Sequence, residues 1–342
     1  VTKRLLIEMI LFSRGVLRSV LCFLPLLAAL LVSVQAAAHH SQAHFDREYT
    51  EIEGVLTEVK MRNPHVLFTL QTEDPLTGEE SEVLLETTSL YYLDRAGVEP
   101  DWFQEGDRVR VVGRASTRRP TEFLASEMIL QDQGQRHVYL LGDEVESRFS
   151  ENIVDTAAEN RGLFRTWSIP RNNERQRHTL LTETAQAALE SWDPVNNYST
   201  QCDPGGMPRL MWFPHPFELI DQGDEILAKF EMYNVERTIH MNHSEAPEGT
   251  ERTRWGYSTG EWVDQRTLVV TTTHIGWPYY QGGIPLSDQA VVTERFALSE
   301  DQSRIDLLVT TTDPENFVEP ATVDAYWVAL NEELKDFICE TD

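Results

Sequence analysis

Basic residues are scarce in this chain: 29 Lys and Arg stand against 56 Asp and Glu, a formal net charge of −27. Those present are scattered, with no run or stripe. Polyanion binding draws its free energy from Lys and Arg displacing counterions, so neither nucleic acid nor an anionic membrane surface is an expected partner. Cysteine is almost missing, at 3 residues, which rules out a disulfide-dense scaffold and a cysteine-rich metal framework. No glycine-rich phosphate loop and no Gly-x-Ser-x-Gly elbow occurs, so two common catalytic architectures have no sequence support. Outside residues 20–32 there is no long continuous apolar run.

That one run points to export. Lys3, Arg4, Arg14 and Arg18 precede it, and Ala36-Ala37-Ala38 follows with the small-residue pattern a signal peptidase requires. It is too short for a spanning helix. Residues 1–38 are therefore expected to be a signal peptide and the product to be periplasmic or secreted, with no membrane span after cleavage. The removed segment carries four basic residues and one acid, which leaves a charge of about −30. Acidity of this size suits solubility in salt, with an acidic docking surface as the alternative. Cys22 leaves with the signal. Cys202 and Cys339 remain, and in an oxidising compartment two cysteines read as one disulfide, with two isolated thiols as the alternative. The bridge closes a loop of about 137 residues, worth roughly 5 kcal/mol in the chain-entropy model, and puts both cysteines in one domain.

Turn chemistry and alternation divide the rest. Strands are expected at 50–59 (with a bulge at Gly54), 65–70, 81–86, 108–112 and 122–130, and a helix at 89–93 stops at Gly97. Five strands with a helix between the third and fourth is the order of an OB-like barrel, over residues 39–142. Residues 143–160 are polar and suit a linker. In 161–342, a helix at 183–192 precedes strands at 225–232, 236–241, 267–275, 289–298, 305–312 and 322–330. That spacing argues a mainly β domain, an antiparallel lipocalin-like barrel closed by the one disulfide.

Two resemblances attach to particular motifs. His39-His40-Ser41, Phe45-Asp46, Asn63-Pro64-His65 and Gly106-Asp107-Arg108-Val109 resemble a family of small exported bacterial proteins of unknown function. Cys202-Asp203-Pro204-Gly205-Gly206-Met207-Pro208, Gly256-Tyr257-Ser258, Gly260-Glu261-Trp262, Ser287-Asp288, Glu294-Arg295-Phe296, Asp313-Pro314 and Cys339 resemble a second uncharacterised bacterial family. Neither resemblance implies an activity. The chain departs from the second pattern at Val263-Asp264-Gln265-Arg266 and at the His240-Met241-Asn242-His243-Ser244 hairpin.

Four groups of residues carry candidate chemistry. His39, His40 and His44 fall within the first six residues of the cleaved chain, where a free amine and the His39 imidazole chelate copper and His65 offers a further ligand; a plain polar tail is the alternative. Glu231 or Glu294 facing Arg237 inside a barrel makes either a register-fixing ion pair or a carboxylate of shifted pKa. Tyr257, Trp262, Trp277 and Arg295 are expected to line a ligand cavity with Glu231 and Arg237. Asp288, Glu294 and His240 are the acid–base candidates. His240 and His243, three apart, are expected on opposite faces of a strand. The proline-punctuated segment 207–217 is expected to lid the barrel mouth or to line an interface between the domains. The leading expectation is a protein binding a small, partly apolar ligand in the second barrel. An isomerase, cyclase or hydrolase in the same cavity, and a periplasmic copper-handling protein, are the alternatives.

Overall fold

A computed structural model describes residues 44–73, 77–142, 162–168, 175–193, 197–330 and 333–340. The expected signal, His39, His40 and the expected linker lie outside them.

The first barrel is built from β1 (Thr50–Lys60), β2 (Leu67–Glu73), β3 (Glu80–Glu86), helix α1 (Leu90–Arg95), β4 (Arg108–Ala115), β5 (Glu122–Leu130) and β6 (Arg136–Tyr139). The sheet order is β3-β2-β1-β4-β5-β6, and a parallel pairing of β3 with β5 closes the first five strands. This is the expected OB-like arrangement. Its core is apolar and sealed, with Leu56, Leu70, Leu85, Val109, Val111, Met128 and Leu130 at 0% exposure. Helix α1 stops as the sequence dictates: Gly97 takes φ 77°, its N–H donates to the Asp94 carbonyl, and Val98 N–H returns to Leu93. The bulge falls elsewhere than expected, between Leu56 and Glu58. Gly54 has a different duty, since a Cβ there would lie 2.1 Å from the Gln71 carbonyl oxygen of β2.

The larger barrel comprises β7 (Thr166–Ser168), β8 (Gln176–His178), α2 (Glu183–Ser191), β9 (Phe217–Asp221), β10 (Glu225–Phe230), β11 (Val235–His240), β12 (Tyr257–Asp264), β13 (Thr267–Thr273), β14 (Tyr279–Gln281), β15 (Ile284–Pro285), β16 (Val291–Leu298), β17 (Arg304–Thr312) and β18 (Ala321–Ala329). Nine strands close in the order β17-β16-β13-β12-β11-β10-β9-β7-β18, with β18 returning to β17 and β8 added beside β18. All joints are antiparallel except β11–β12, which is parallel. Gly260 makes that joint fit, because a Cβ there would meet Met241 Sδ at 2.7 Å and Ile239 at 2.8 Å. The middle of the barrel is filled: Trp167, Phe217, Phe296 and Trp327 are among its largest fully buried side chains.

The two ends of this barrel differ. Tight turns join β12 to β13 and β16 to β17 at one end. The long connections β13–β16 and β17–β18 cross the other, together with the segment 198–216. Cys202 and Cys339 are bonded, with Cα atoms 5.7 Å apart, so this lid is tied to the last described segment, 333–340. The Gly205-Gly206 pair has a packing reason. A Cβ on Gly206 would lie 2.6 Å from Trp277, and one on Gly205 2.8 Å from Tyr198. Asp203 pairs with Arg254 at 2.5 Å, and that guanidinium lies 4.4 Å from the Trp277 ring centre.

Residues 44–342 form one compact unit, and the contacts between the barrels show why. Arg95 of α1 holds Glu231 through two parallel bonds of 3.1 Å, with both side chains buried. Asn63 donates its amide to the Ile338 carbonyl and accepts from Glu340 N–H. Tyr92 O–H donates to the Pro214 carbonyl, and Tyr91 lies 4.1 Å from the His215 ring. The segment 207–217 therefore serves both expected purposes: its first half lids the barrel and its second half lines the interface.

Candidate functional site

Side-chain alternation along two strands defines the open end of the larger barrel. Ser258 and Gly260 are buried on β12, and Trp262 continues that face to the strand's end. On β16, Val292, Glu294, Phe296 and Leu298 face inward. Trp262 and Leu298 therefore reach the barrel rim together. The chain entering β7 closes one side: Gly162 N–H donates to the Gln302 side-chain oxygen at 3.0 Å, and the Leu163 carbonyl accepts from Trp167 Nε1 at 2.9 Å. Phe164 meets Trp262 edge to face at 6.2 Å.

These residues border an open mouth of about 580 Å³ lined by Gly162, Leu163, Phe164, Trp262, Asp264, Gln265 and Leu298. Its walls are mostly apolar, and its polar groups sit on the β12–β13 turn. Backbone hydrogen bonding by Arg266 and then the Thr267 side chain hold the Asp264 carboxyl below the usual carboxylate range. Trp262 is 42% exposed although it continues the inward face, and its neighbour Val263 is 56% exposed.

Beneath the mouth lies the buried pair. Arg237 grips Glu294 through Nη1–Oε1 at 2.9 Å and Nη2–Oε2 at 2.5 Å. Its remaining donors go to Ser258 Oγ at 2.9 Å, Thr272 Oγ1 at 2.8 Å and Met211 Sδ at 3.4 Å. Glu294 is 0% exposed. Every nitrogen of the guanidinium has a partner, so the network fixes β11, β12, β13 and β16 against one another and leaves no group free to take a substrate proton. Of the two carboxylates considered for Arg237, Glu231 goes to Arg95 instead.

The other candidates are dispersed. Asp288 is exposed and lies 3.9 Å from Arg252. Arg295 faces solvent because its neighbours Glu294 and Phe296 face inward. Trp277 is buried at the lidded end. Tyr257 and His240 share the barrel's outer surface, with rings 4.5 Å apart, and His240 Nδ1 is 2.9 Å from Glu225 Oε1. The expectation that His240 and His243 face opposite ways is overturned: their rings stack at 5.4 Å, and His243 Nδ1 lies 2.6 Å from the Tyr257 hydroxyl. Strand β11 ends at His240, and the turn at Met241-Asn242 brings the chain back to the same side. The acid–base set of Asp288, Glu294 and His240 is thus not assembled in one place. Of the cavity set, Trp262 alone reaches the mouth.

At the first barrel, His44 lies 3.9 Å from Glu122 and His65 2.5 Å from Glu86. Among the described residues, no three His, Cys, Asp or Glu side chains form a group able to hold a metal ion. The mouth also uses residues that sequence reasoning missed, namely Leu163, Phe164 and Leu298. They come from two separate segments, Leu163-Phe164 and the end of β16, and the one advance signal is the alternation that sets Leu298 on the same face as Glu294.

Residues 28–122 match a family of unknown function (DUF6152), a match that reaches the start of β5 and includes none of the larger barrel. No curated protein matches the chain. The match is a likeness of the first barrel to an uncharacterised domain family.

Proposed function

We propose that this is an exported protein whose larger barrel binds a small, partly apolar ligand at the mouth walled by Trp262, Phe164, Leu163 and Leu298. The observation that carries this reading is the apolar mouth of about 580 Å³ with a rim tryptophan left 42% exposed. The volume falls within the roughly 300–1,000 Å³ typical of small-molecule sites. Asp264 and Gln265 offer polar contacts at the rim, which suits a ligand with one polar end. The enzyme alternative has weaker support, because Glu294 is fully engaged by Arg237 and neither Asp288 nor His240 reaches the mouth. The first barrel is then an accessory module docked through Arg95 and Asn63.

N-phenyl-1-naphthylamine, a neutral aromatic probe that fluoresces when desolvated, tests the reading. Saturable binding at one site per chain is expected, and Trp262→Ala should weaken it about tenfold, the equivalent of ~1.4 kcal/mol. Trp262 stands at the rim, so the variant keeps the packed core. Absence of saturable binding, or equal binding by the variant, would overturn the proposal.

A further inference from the structure

A bulge makes the polar side of the mouth. Trp262 stands opposite Leu268 on β13 and Asp264 opposite Thr267, so Val263 is one residue more than the partner strand can pair. An extra residue of this kind bends its strand and re-aims the side chains beside it. Here Trp262 and Asp264, on either side of Val263, line the same opening. Phe164 meets the Trp262 ring edge to face at 6.2 Å, and Leu298 completes the apolar side. The face of an aromatic ring attracts a cation.

Asp264 is the one acid or base among the described residues that line the mouth. It is exposed, and Arg266 reaches it through the backbone, its N–H donating to Oδ1 at 2.7 Å. Backbone hydrogen bonding by Arg266, then the Thr267 side chain, keep the carboxyl ionised, and the charge of the Arg266 guanidinium comes last among these influences. Donors that favour the ionised form stop a carboxyl from meeting an anion by taking up a proton. The neighbouring turn adds charge of the same sign. Glu300 and Asp301 are exposed on it, and its Gln302 side chain holds Gly162 of the mouth at 3.0 Å. Arg304, at the start of β17, is turned to Asp306 through Nε at 2.7 Å.

We propose that the mouth selects a cationic ligand: a ring-bearing apolar body seated against Trp262, Phe164 and Leu298, with an ammonium group at Asp264. The inference rests on the mouth being the ligand site and adds the sign of the ligand's polar end. The carboxylate, the aromatic wall beside it and the acidic turn agree on that sign. Apolar walls partly exclude water, and an ion pair there is stronger than in bulk solvent. An anionic head would meet fixed negative charge in the same place, so one carboxylate attracts the first class of ligand and rejects the second. Gln265 can hydrogen-bond a neutral head, which gives a neutral ligand an intermediate rank.

Three probes that share one ring system test this on the full chain at neutral pH and one ionic strength: 1-naphthylmethylammonium, 1-naphthalenemethanol and 1-naphthoate, each titrated by calorimetry. The ammonium should bind about tenfold more tightly than the alcohol, and the naphthoate about tenfold more weakly. Asp264→Asn removes the charge but keeps an oxygen to accept from Arg266 N–H. It should bring the ammonium and the alcohol within about twofold of each other. Glu261→Gln takes one charge from the exposed, outward side of the same strand and should leave the preference intact. That variant separates the Asp264 carboxylate from the general field of a chain with a net charge of −27. Equal affinity for the three probes, a preference retained in Asp264→Asn, or one lost alike in both variants would overturn the proposal and leave the mouth as a ligand site. The same holds if N-phenyl-1-naphthylamine binds and the ammonium does not. Absence of saturable binding by every probe, N-phenyl-1-naphthylamine included, would remove both.

Discussion

Arg237 and Glu294 show how one pair of residues sets the limits of this barrel's chemistry. Both were legible as inward-facing charges because each interrupts an otherwise apolar face of its strand, and a charge in that position has to be paired. Which partner each would take was not legible. Glu231 and Glu294 are equivalent on the page, and only the fold sends the first to Arg95 and the second to Arg237. Removing one member of a buried pair leaves the other uncompensated, which costs about 3–5 kcal/mol, whereas replacing both by apolar residues costs far less. Glu294→Gln should therefore lose most of that in urea denaturation, and the double change Arg237→Met with Glu294→Leu should lose less than the sum of the single changes. Additive losses would show that the two side chains do not act as one unit.

Among the elements, the segment Phe213–Phe217 against α1 carries the strongest pH signature. His215 is buried between Tyr91, Tyr92 and Phe337, with Arg95 nearby. Burial, and then the positive charge of Arg95, lower its imidazole from 6.5 to about 3. Below about pH 6.5 the unfolded chain takes up this proton while the folded chain does not, so stability falls as pH falls, by about 1.4 kcal/mol per unit, until the folded group also titrates near 3. Above 6.5 the group adds no slope. His215→Phe keeps a flat ring and removes the titration, so the gap in stability between parent and variant should shift in the variant's favour from pH 7 to pH 4. Parallel melting curves across that range would show that His215 is not buried neutral. The elements also show why some strands escaped sequence reading. Strand β12 holds Gly260, Glu261 and Asp264 in eight residues, so its alternation is broken and its pattern reads as a loop. The parallel β11–β12 joint depends on the long connection 241–256 and on Gly260, and no local signal announces it. Antiparallel neighbours joined by turns, such as β16 and β17, were legible within a residue or two at most ends because alternation and turn residues agree there.

At the scale of the molecule, the charge, the disulfide and the barrel architecture follow from sequence patterns. The number of strands that close it and its filled centre do not, because packing among Trp167, Phe217, Phe296 and Trp327 is a property of the assembled barrel. That filling confines any ligand to an end. The turn end offers an apolar mouth, and the lidded end offers packed aromatic rings held by Cys202–Cys339 and Arg254. The central claim is that the mouth is the ligand site, and hydrogen exchange with and without saturating N-phenyl-1-naphthylamine tests it most directly. Added protection should concentrate in residues 162–165, 262–266 and 298–303, with the lid at 198–216 unchanged. Saturable binding with protection in the lid, and none around Trp262, would contradict the account.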